Sequence, residues 1–494
     1  MKKSNKILLG LASIAMIATP LIGCSNNGGG NVDDGKIHIV FGHTFGDKVE
    51  TALNKFINQF TQKVKAQEDV DVVVELQYLG GYSDVYTKVN TYFTDGTCPT
   101  MTIAYPDTVA DFIKSFGTQY VVNFDKYMND PELAFGTDRY LGDTEGKDDI
   151  IASYLEEGQK FVVEGTYSLP FMKSSEIMLY NLDYVTEVMK IYNPTAVETG
   201  KVEETIASFS WDQLIDFASV AYAHRGDIED CDPEDAALKH PIFYDSDSNL
   251  FITQMFQEGF EYSSIQSGKG HIDFDDGPDG ENYLGAKQLL EEYLNWHNLN
   301  LFTTKGAEGT YASNSFKNQE CIFTIGSSGG SGYTFPQAGE FTVGMCKVPA
   351  RNDKPYYISQ GPSVCFIRNP HFSDAKNDLT HKYAWKFLKY LMSTNVNTSL
   401  CITGSEGYAP VRTSCYSTEA YIDFMDQDDD YARAAKVLTD EINGHFISSA
   451  VFTGSATLRT QVGAAVTGLL SGKIADVATA LNTAINNAKI DMES

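Results

Sequence analysis

The sequence predicts an α/β protein of two lobes, each containing a parallel or mixed sheet flanked by helices. Strand-like and helix-like patterns alternate over residues 37–116, and strands return near residue 321 after a long helical stretch. Alternating strands and helices favour a largely parallel sheet with helices on both faces. The second return to strands indicates that the chain passes between two lobes more than once, rather than forming two domains in series.

The first residues predict export. Three lysines precede an uncharged run over residues 7–23, as in a secretory signal peptide, and the run is too short for a comfortable membrane span. It ends in LIGC, which resembles the lipobox of bacterial lipoproteins. We therefore predict a signal peptide at 1–23 and lipidation of Cys24, the alternative being an ordinary signal peptide with an accidental cysteine.

A polar, glycine-rich stretch predicts a flexible tether at residues 24–35. No later segment has the length of uninterrupted apolar sequence that a membrane span needs. The order of strand-rich and helical stretches predicts one lobe from 36–150 with 316–365, and a second lobe from 151–315 with 366–494.

Composition narrows the classes of partner. A net charge of -29 argues against binding nucleic acid through its phosphates, and 42% hydrophobic residues are enough for large cores. None of the eight cysteines forms a C-x-x-C pair, so we expect buried thiols rather than a zinc ribbon. The stretch DFDDGPDG lacks the glutamate that closes a calcium loop, and we expect no metal or cofactor.

Three strand–helix units open the ordered chain. Apolar residues alternate from Ile37 and are followed by apolar residues at helical spacing from Val49 to Val64, and the pattern repeats twice up to residue 116. Residues that follow parallel strands lie at the same edge of a sheet. Thr44, Tyr82 and Asp107 are therefore expected to share one rim.

The middle and end of the chain change character. The stretch LPFMKSSEIMLYNLDYV is strand-rich, and residues 180–315 are predicted to be mainly helical, with Ser210 as a helix cap. Strands resume at CIFTIG, FTVGMCKVP and SVCFI. Apolar stripes from Tyr383 to Leu391 and from Leu458 to Val466 predict closing helices.

Several short motifs occur together in a recognisable order: FGHTFG, CPTMTIAYPDTV, LPFMKSSEIMLYNLDYV, FSWDQLI, CIFTIGSSGG, VGMCKVPA, GSEGYAPVR and LRTQVGAAVTGLLSGK. This order resembles the carbohydrate-type (family 1) solute-binding proteins of ABC importers, especially the glycerol-3-phosphate branch. The resemblance implies a type II-like periplasmic-binding-protein fold with a multi-strand hinge. It also implies a monomer at the outer face of a bacterial membrane that delivers its solute to permease subunits.

The same resemblance places ligand contacts on Tyr82, Asp107, Ser174, Ser175, Ser327, Ser328, Gly361, Tyr408 and Arg459. These residue types suit a sugar or glycerol phosphate, because carboxylates accept from hydroxyls, tyrosines stack or donate, and arginine pairs with anions. Purely structural roles are the alternatives: Arg459 pairs with an acid, Asp107 caps a helix, the tyrosines pack in half-buried positions, and the serines hydrogen-bond backbone groups of their loop. The loop GTYSLPFMKSS has no tryptophan to stack on a sugar, and Gln360-Gly361-Pro362 replaces the usual glycine pair.

A secreted hydrolase acting in the same cleft is the alternative function. Gly326, Ser328 and Gly330 spell the G-x-S-x-G of a serine-hydrolase elbow, which needs an acid and a histidine further along the chain. The downstream histidines, His371 and His381 among them, have no distinguishing motif. With 66 acidic residues, counting does not single out a glycosidase pair either. The sequence favours binding without catalysis.

Overall fold

The computed structural model describes residues 34–226, 238–404, 407–442 and 444–493. The predicted signal peptide, the predicted lipidation site at Cys24 and most of the predicted tether lie outside these residues. Among the described residues, no helix combines the length and the apolar character needed to cross a membrane.

Fourteen strands are described. In chain order they are β1 (Ile37–His43), β2 (Val72–Tyr78), β3 (Met101–Ala104), β4 (Leu169–Pro170), β5 (Glu176–Asn181), β6 (Ile242–Tyr244), β7 (Ser263–Gln266), β8 (Lys269–Ile272), β9 (Phe302–Thr304), β10 (Phe323–Ser327), β11 (Val343–Lys347), β12 (Tyr357–Ile358), β13 (Ser363–Phe366) and β14 (Phe446–Ile447).

The α-helices of the described residues are α1 (Asp47–Glu68), α2 (Tyr82–Asp95), α3 (Pro106–Phe116), α4 (Asp125–Met128), α5 (Ala152–Glu157), α6 (Leu182–Tyr192), α7 (Pro194–Glu198), α8 (Val202–Ala207), α9 (Trp211–Ala223), α10 (Asp247–Glu258), α11 (Glu281–Asn298), α12 (Lys305–Glu308), α13 (Ala312–Lys317), α14 (Asp374–Leu391), α15 (Thr394–Ser399), α16 (Glu419–Met425), α17 (Asp430–Lys436), α18 (Ser455–Leu470) and α19 (Val477–Glu493). Short 3-10 and π turns connect several of them.

Two five-stranded mixed sheets organise the molecule. The first has the order β2-β1-β3-β13-β4, with β1 parallel to β2 and β3 and with β13 antiparallel to both of its neighbours. The second has the order β11-β5-β10-β6-β9, with β10, β6 and β9 parallel and β5 antiparallel to β10 and β11. The predicted α/β class with mixed sheets is confirmed.

Helix stripes cover these sheets as the apolar spacing predicts. Helix α1 buries the residues Val49, Leu53, Phe56, Ile57, Phe60 and Val64 against the first sheet. Ser210 caps α9, because its hydroxyl accepts from the N–H of Gln213 while the Gln213 side chain accepts from the N–H of Ser210. Both predictions are confirmed.

The two cores divide the chain differently from the predicted lobes. The first core takes residues from 39–172, 364–401 and Val411, and a smaller cluster from 79–121, 161–167, 365–367 and Val451 accompanies it. The second core takes residues from 177–358, Ala409 and 434–488. Strands β10 and β11 lie in the second sheet, although the sequence placed 316–365 in the first lobe, and helix α14 packs in the first core. An isolated apolar strand carries no signal of the sheet that it joins. We call the parts of the chain around these cores the first and second lobes.

The lobes meet at a layer of adjacent extended segments, which we call the hinge. The chain crosses at residues 172–175 and returns at 357–361, and segments 407–411 and 445–451 pair alongside. Ser174 exchanges two backbone hydrogen bonds with Gln360, at 3.0 and 2.9 Å, and Lys173 exchanges two with Ala409. The N–H of Ser359 donates to Ile447 at 2.8 Å. The lobes are thus joined by several strands rather than by one linker.

Candidate ligand-binding cleft

A cleft between the lobes contains two neighbouring chambers. The Arg459 chamber is lined by Tyr105, Pro106, Asp107, Glu157, Lys173, Ile252, Tyr262, Ile358, Ser359, Ser448, Ser449, Ala450, Val451, Ser455 and Arg459. The tyrosine chamber is lined by Thr44, Phe45, Gly46, Lys48, Val49, Tyr82, Gly329, Gly332, Tyr333 and Tyr408. Each chamber is lined by residues from both lobes, so a molecule bound there would contact both.

Two stacked rings separate the chambers. Tyr82 is the first residue of α2 and Tyr105 directly precedes α3, so both follow strands of the first sheet. Their ring centroids lie 4.4 Å apart with an interplanar angle of 27°. The guanidinium of Arg459, on α18 of the second lobe, lies 5.9 Å from the Tyr105 ring. The two aromatic rings and the guanidinium therefore form a stack across the cleft.

A series of buried hydrogen bonds positions the Arg459 side chain. Its guanidinium donates to the side-chain oxygen of Asn249, whose amide donates to the Glu176 carboxylate at 2.9 Å. The Tyr244 hydroxyl donates to the same carboxylate at 2.5 Å. Burial raises the pKa of Glu176 to about 7, although these two hydrogen bonds and the nearby Arg459 oppose the shift. These hydrogen bonds fix the direction in which the Arg459 side chain points.

A buried ion pair forms another wall of the Arg459 chamber. The Lys173 ammonium lies 2.7 Å from a carboxylate oxygen of Glu157, and both side chains are almost fully buried. The ammonium also lies 5.4 Å from the centre of the Tyr154 ring. Lys173 belongs to the hinge, so this pair ties the crossing segment to α5 of the first lobe.

Three hydroxyls of the Arg459 chamber are available for a ligand. The hydroxyl oxygens of Tyr262, Ser359 and Ser449 are buried and have no hydrogen-bond partner among the described residues. A buried hydroxyl without a partner costs free energy, about 1–3 kcal/mol by mutational measurements. Hydroxyl or anionic groups of a bound solute would satisfy them.

The tyrosine chamber brings hydroxyls together at its floor. Burial raises the pKa of Tyr82 well above its ordinary value, and the neighbouring hydroxyl of Tyr408 adds to this shift. Tyr333, which is 72% exposed, stands at the mouth of the chamber. A Cβ atom added to Gly46 of the first lobe would lie 3.3 Å from the Tyr333 hydroxyl, so this side chain reaches across the cleft.

Five residues singled out from the sequence line the cleft. Thr44, Tyr82 and Tyr408 line the tyrosine chamber, and Asp107 and Arg459 line the other chamber. The rim expected for the residues that follow strands therefore spans both chambers, which adjoin at the two stacked rings. Asp107 also accepts the N–H of Thr108 at 2.7 Å, so part of its role is local to the first turn of α3.

The predicted serine contacts lie in or beside the hinge instead. Ser175 donates its hydroxyl to the carbonyl of Ile358 at 2.9 Å, and Ser328 donates to the carbonyl of Gly407 at 2.8 Å. Ser327 donates to the hydroxyl of Ser174 at 3.3 Å. Neither chamber is lined by any of these four serines. Their hydroxyls hold neighbouring segments together.

Gly361 also has a structural role in the hinge. It has a φ of +102°, and an added Cβ would lie 2.5 Å from the carbonyl oxygen of Met172. Only glycine allows the two crossing segments to approach so closely without strain. The prediction from resemblance placed a ligand contact there, but Gly361 does not line either chamber.

The G-x-S-x-G match does not form a nucleophile elbow. Ser328 begins a 3-10 helix, Ser328–Tyr333, and is fully buried. The ring of His381 is bonded at Nδ1 to the carbonyl of Asn377 and at Nε2 to that of Ile367, inside the first lobe. Within DFDDGPDG, the Asp276 carboxylate accepts from two N–H groups at the start of α11. Among the described residues, none forms a group suited to a metal ion.

Sequence reasoning missed several residues of the cleft, including Tyr105, Lys173, Tyr262 and Tyr333. Tyr105 had a usable signal, because it stands between a buried strand and the proline that opens a helix. The pairing of Lys173 with Glu157 had no signal, since it depends on how the crossing segment packs against α5.

Solved structures share this fold. The cyclic alpha-maltosyl-1,6-maltose binding protein of Arthrobacter globiformis matches with a TM-score of 0.64 at 15% identity, covering 93% of this chain and 99% of the other. UgpB from Mycobacterium tuberculosis, in complex with glycerophosphocholine, matches with a TM-score of 0.65 at 14% identity, covering 93% and 98%. Lmo0181 from Listeria monocytogenes, in complex with cycloalternan, matches with a TM-score of 0.65 at 14% identity, covering 93% and 99%.

A search of curated protein sequences finds no match. The sequence model of the bacterial extracellular solute-binding proteins does match, over residues 48–397. This range includes the whole second sheet, every strand of the first sheet except β1, and the first two hinge segments. The family consists of binding proteins that act outside the cytoplasm, so the hydrolase alternative is not favoured. The chain belongs to the family of bacterial extracellular solute-binding proteins.

Proposed function

We propose that this protein captures a carbohydrate or a glycerol-phosphate-type solute between its lobes and delivers it to the permease subunits of an ABC importer. The observation that carries the proposal is the Arg459 chamber, where polar groups of both lobes converge and three buried hydroxyls have no partner in the described part of the chain. Polyols present many hydroxyl groups, and their recognition needs fixed donors and acceptors of this kind.

The chemistry of the cleft supports both ligand classes. Asp107 accepts hydrogen bonds from hydroxyls, and the tyrosines offer faces on which the C–H groups of a sugar stack. Arg459 offers a fork of donors that matches phosphate or carboxylate oxygens. The structurally similar proteins were solved with ligands of both kinds, a cyclic oligosaccharide and glycerophosphocholine.

The mechanism we infer is reversible closure without making or breaking covalent bonds. Only a closed cleft lets one solute contact Arg459 of the second lobe and Tyr105 or Asp107 of the first, so the solute stabilises the closed state. The hinge bends between its paired segments while each lobe moves as a unit. The permease would then distinguish the closed from the open form.

We further propose that the mature protein is a monomer anchored by lipid on Cys24 to the outer face of the cell membrane. Two or three acyl chains hold a protein firmly, since each buried CH2 contributes about 0.8 kcal/mol. Residues 25–35 would serve as the tether between the anchor and the first lobe. Labelling of growing cells with a radioactive fatty acid tests this, and a Cys24→Ala variant should lose both the label and the membrane fraction.

The ligand is identified by mass spectrometry of small molecules released when the purified protein is denatured. In parallel, a thermal-shift panel compares maltose, maltotriose, glycerol 3-phosphate and glycerophosphocholine. We expect one class to raise the melting temperature and to reduce the radius of gyration in solution scattering. A tight ligand that leaves the scattering unchanged would contradict lobe closure. Covalent labelling of Ser328 by a fluorophosphonate would instead revive the esterase alternative.

A further inference from the structure

Outside the cleft, the two lobes touch at an edge formed by α3 and the ends of α18 and α19. The Lys114 ammonium of α3 donates to the backbone carbonyl and to a carboxylate oxygen of Asp491 on α19, at 2.9 and 3.1 Å. Asp491 also accepts from the hydroxyl of Thr457 on α18 at 2.6 Å. These contacts join helices that pack on different cores.

Asp111 completes this edge from the first lobe. It lies one turn before Lys114 on α3, and its carboxylate lies close to the backbone N–H of Gly454. Gly454 is the residue that precedes α18, the helix that carries Arg459. A carboxylate at this position meets the positive end of the helix dipole.

The edge borders the Arg459 chamber. Asp107, one turn before Asp111, lines the chamber from the first lobe, and Ser455, next to Gly454, lines it from the second. When the lobes separate, the contacts of Asp111 and Lys114 with α18 and α19 must break. Closure therefore brings the Asp111 carboxyl out of water and against the second lobe.

We propose that Asp111, with Lys114, forms a latch that closes the lobes more readily as the pH falls. The proposal rests on the lobe movement proposed above but not on the identity of the solute. Four groups face the Asp111 carboxyl: Asp107 and Lys114 on its own helix, Asp491 on α19, and the N–H of Gly454 at α18.

The direction follows from these surroundings. Burial raises the pKa of Asp111 to about 7, and the charges of Asp107 and Asp491 add to this shift, while Gly454 and Lys114 oppose it. With the lobes apart, the hydrated carboxyl returns towards an ordinary value near 3.8. The closed form therefore binds a proton more tightly than the open form. Closure is disfavoured above pH 7 by the buried charge, and this penalty decreases steadily as the pH falls from 7 towards 3.8.

The test is solution scattering of the mature chain without added solute, at pH 8 and pH 6. A single proton bound with a pKa of about 7 makes the closure constant about tenfold larger at pH 6. We expect the radius of gyration of the wild type to fall accordingly. Asp111→Asn keeps an acceptor for Gly454 without the charge, so it should be at least as compact at pH 8 as the wild type is at pH 6.

Two further variants make the result decisive. Glu132→Gln removes an exposed acid of the first lobe and should keep the full pH response of the wild type. Lys114→Met removes the cation that holds Asp491, and should enlarge the radius at both pH values. A wild-type radius that does not change with pH, or a pH response that persists in Asp111→Asn, overturns the latch. If Asp111→Asn does not fold, a wild-type radius for Lys114→Met at both pH values overturns it instead.

This result is independent of the ligand panel. If a solute reduces the radius of gyration but the radius without solute does not change with pH, the latch is rejected and the proposed function is supported. A panel in which nothing binds, together with a pH response lost in Asp111→Asn, rejects the proposed ligand classes and keeps the latch.

Discussion

The cleft and the hinge contain the same kinds of side chain but use them differently. The hydroxyls of Tyr262 and Ser449 line the cleft, where they are buried with no partner among the described residues, although Ser449 belongs to a hinge segment. Away from the chambers, the hydroxyls of Ser175 in the hinge and Ser328 beside it are bonded to backbone carbonyls of adjacent segments. The comparison teaches that the backbone beside a hydroxyl, more than the residue type, decides whether a ligand can use it.

The cations of the two regions show the same contrast. Lys173 in the hinge is held 2.7 Å from the Glu157 carboxylate, and both side chains are buried. Arg459 also lines the chamber, but its guanidinium donates to the neutral amide of Asn249 rather than to a carboxylate. This difference supports the proposed ligand contact at Arg459 and a structural role for Lys173.

The largest effect is expected where the hinge segments approach most closely. Gly361→Ala adds a Cβ 2.5 Å from the backbone oxygen of Met172, at a φ of +102° that disfavours other residues. Strain and collision should lower the free energy of unfolding by about 2–4 kcal/mol. Chemical denaturation followed by fluorescence measures this loss.

The matched control is Gly330→Ala, in the glycine-rich segment beside the tyrosine chamber. A Cβ added at Gly330 would meet no atom of the described residues within 4 Å, so stability should stay within about 0.5 kcal/mol of the wild type. Equal stabilities for Gly361→Ala and Gly330→Ala would mean that the hinge segments separate easily, against the close packing described above.

Most of the fold could be predicted from the sequence because its signals are local. The apolar spacing of α1 and the capping box of α9 both appear in the structure as predicted. The assignment of strands to lobes could not be predicted in the same way. Strand β10 pairs with β5 and β6, which lie about 150 and 80 residues earlier in the chain. Such pairings depend on the whole topology rather than on the strand itself.

The site was predicted only in part, for a related reason. Tyr82 and Asp107 follow strands, and that position alone places them at the cleft. Ser175 and Ser328 were singled out by motif, but the carbonyls that their hydroxyls contact come from segments 183 and 79 residues away in the sequence. A motif shows which groups are present, while their partners depend on the tertiary structure.

The second prediction concerns the cation of the cleft. Arg459→Ala should weaken the binding of glycerol 3-phosphate by about 10–100-fold and the binding of maltose much less. A hydrogen bond to a charged group is worth about 1.5–3 kcal/mol, and maltose carries no charge. Isothermal titration calorimetry measures both affinities. Arg433→Ala, which removes a partly exposed arginine of the second lobe, is the control and should change neither. Equal losses for the two ligands in Arg459→Ala would rule out the anion role.

The smallest effect separates the two uses of a serine hydroxyl. Ser328→Ala removes the donor to the Gly407 carbonyl, so it should lower the free energy of unfolding by about 1 kcal/mol and leave ligand affinity unchanged. Ser449→Ala removes a hydroxyl that has no partner among the described residues, so it should not destabilise the protein but should weaken the cleft ligand severalfold. Denaturation and calorimetry give a change in stability and a change in ligand affinity for each variant. We expect only Ser328→Ala to lose stability and only Ser449→Ala to lose affinity. If Ser328→Ala loses affinity at unchanged stability, its hydroxyl turns to the ligand when the lobes close, and the division between hinge and cleft fails at that serine.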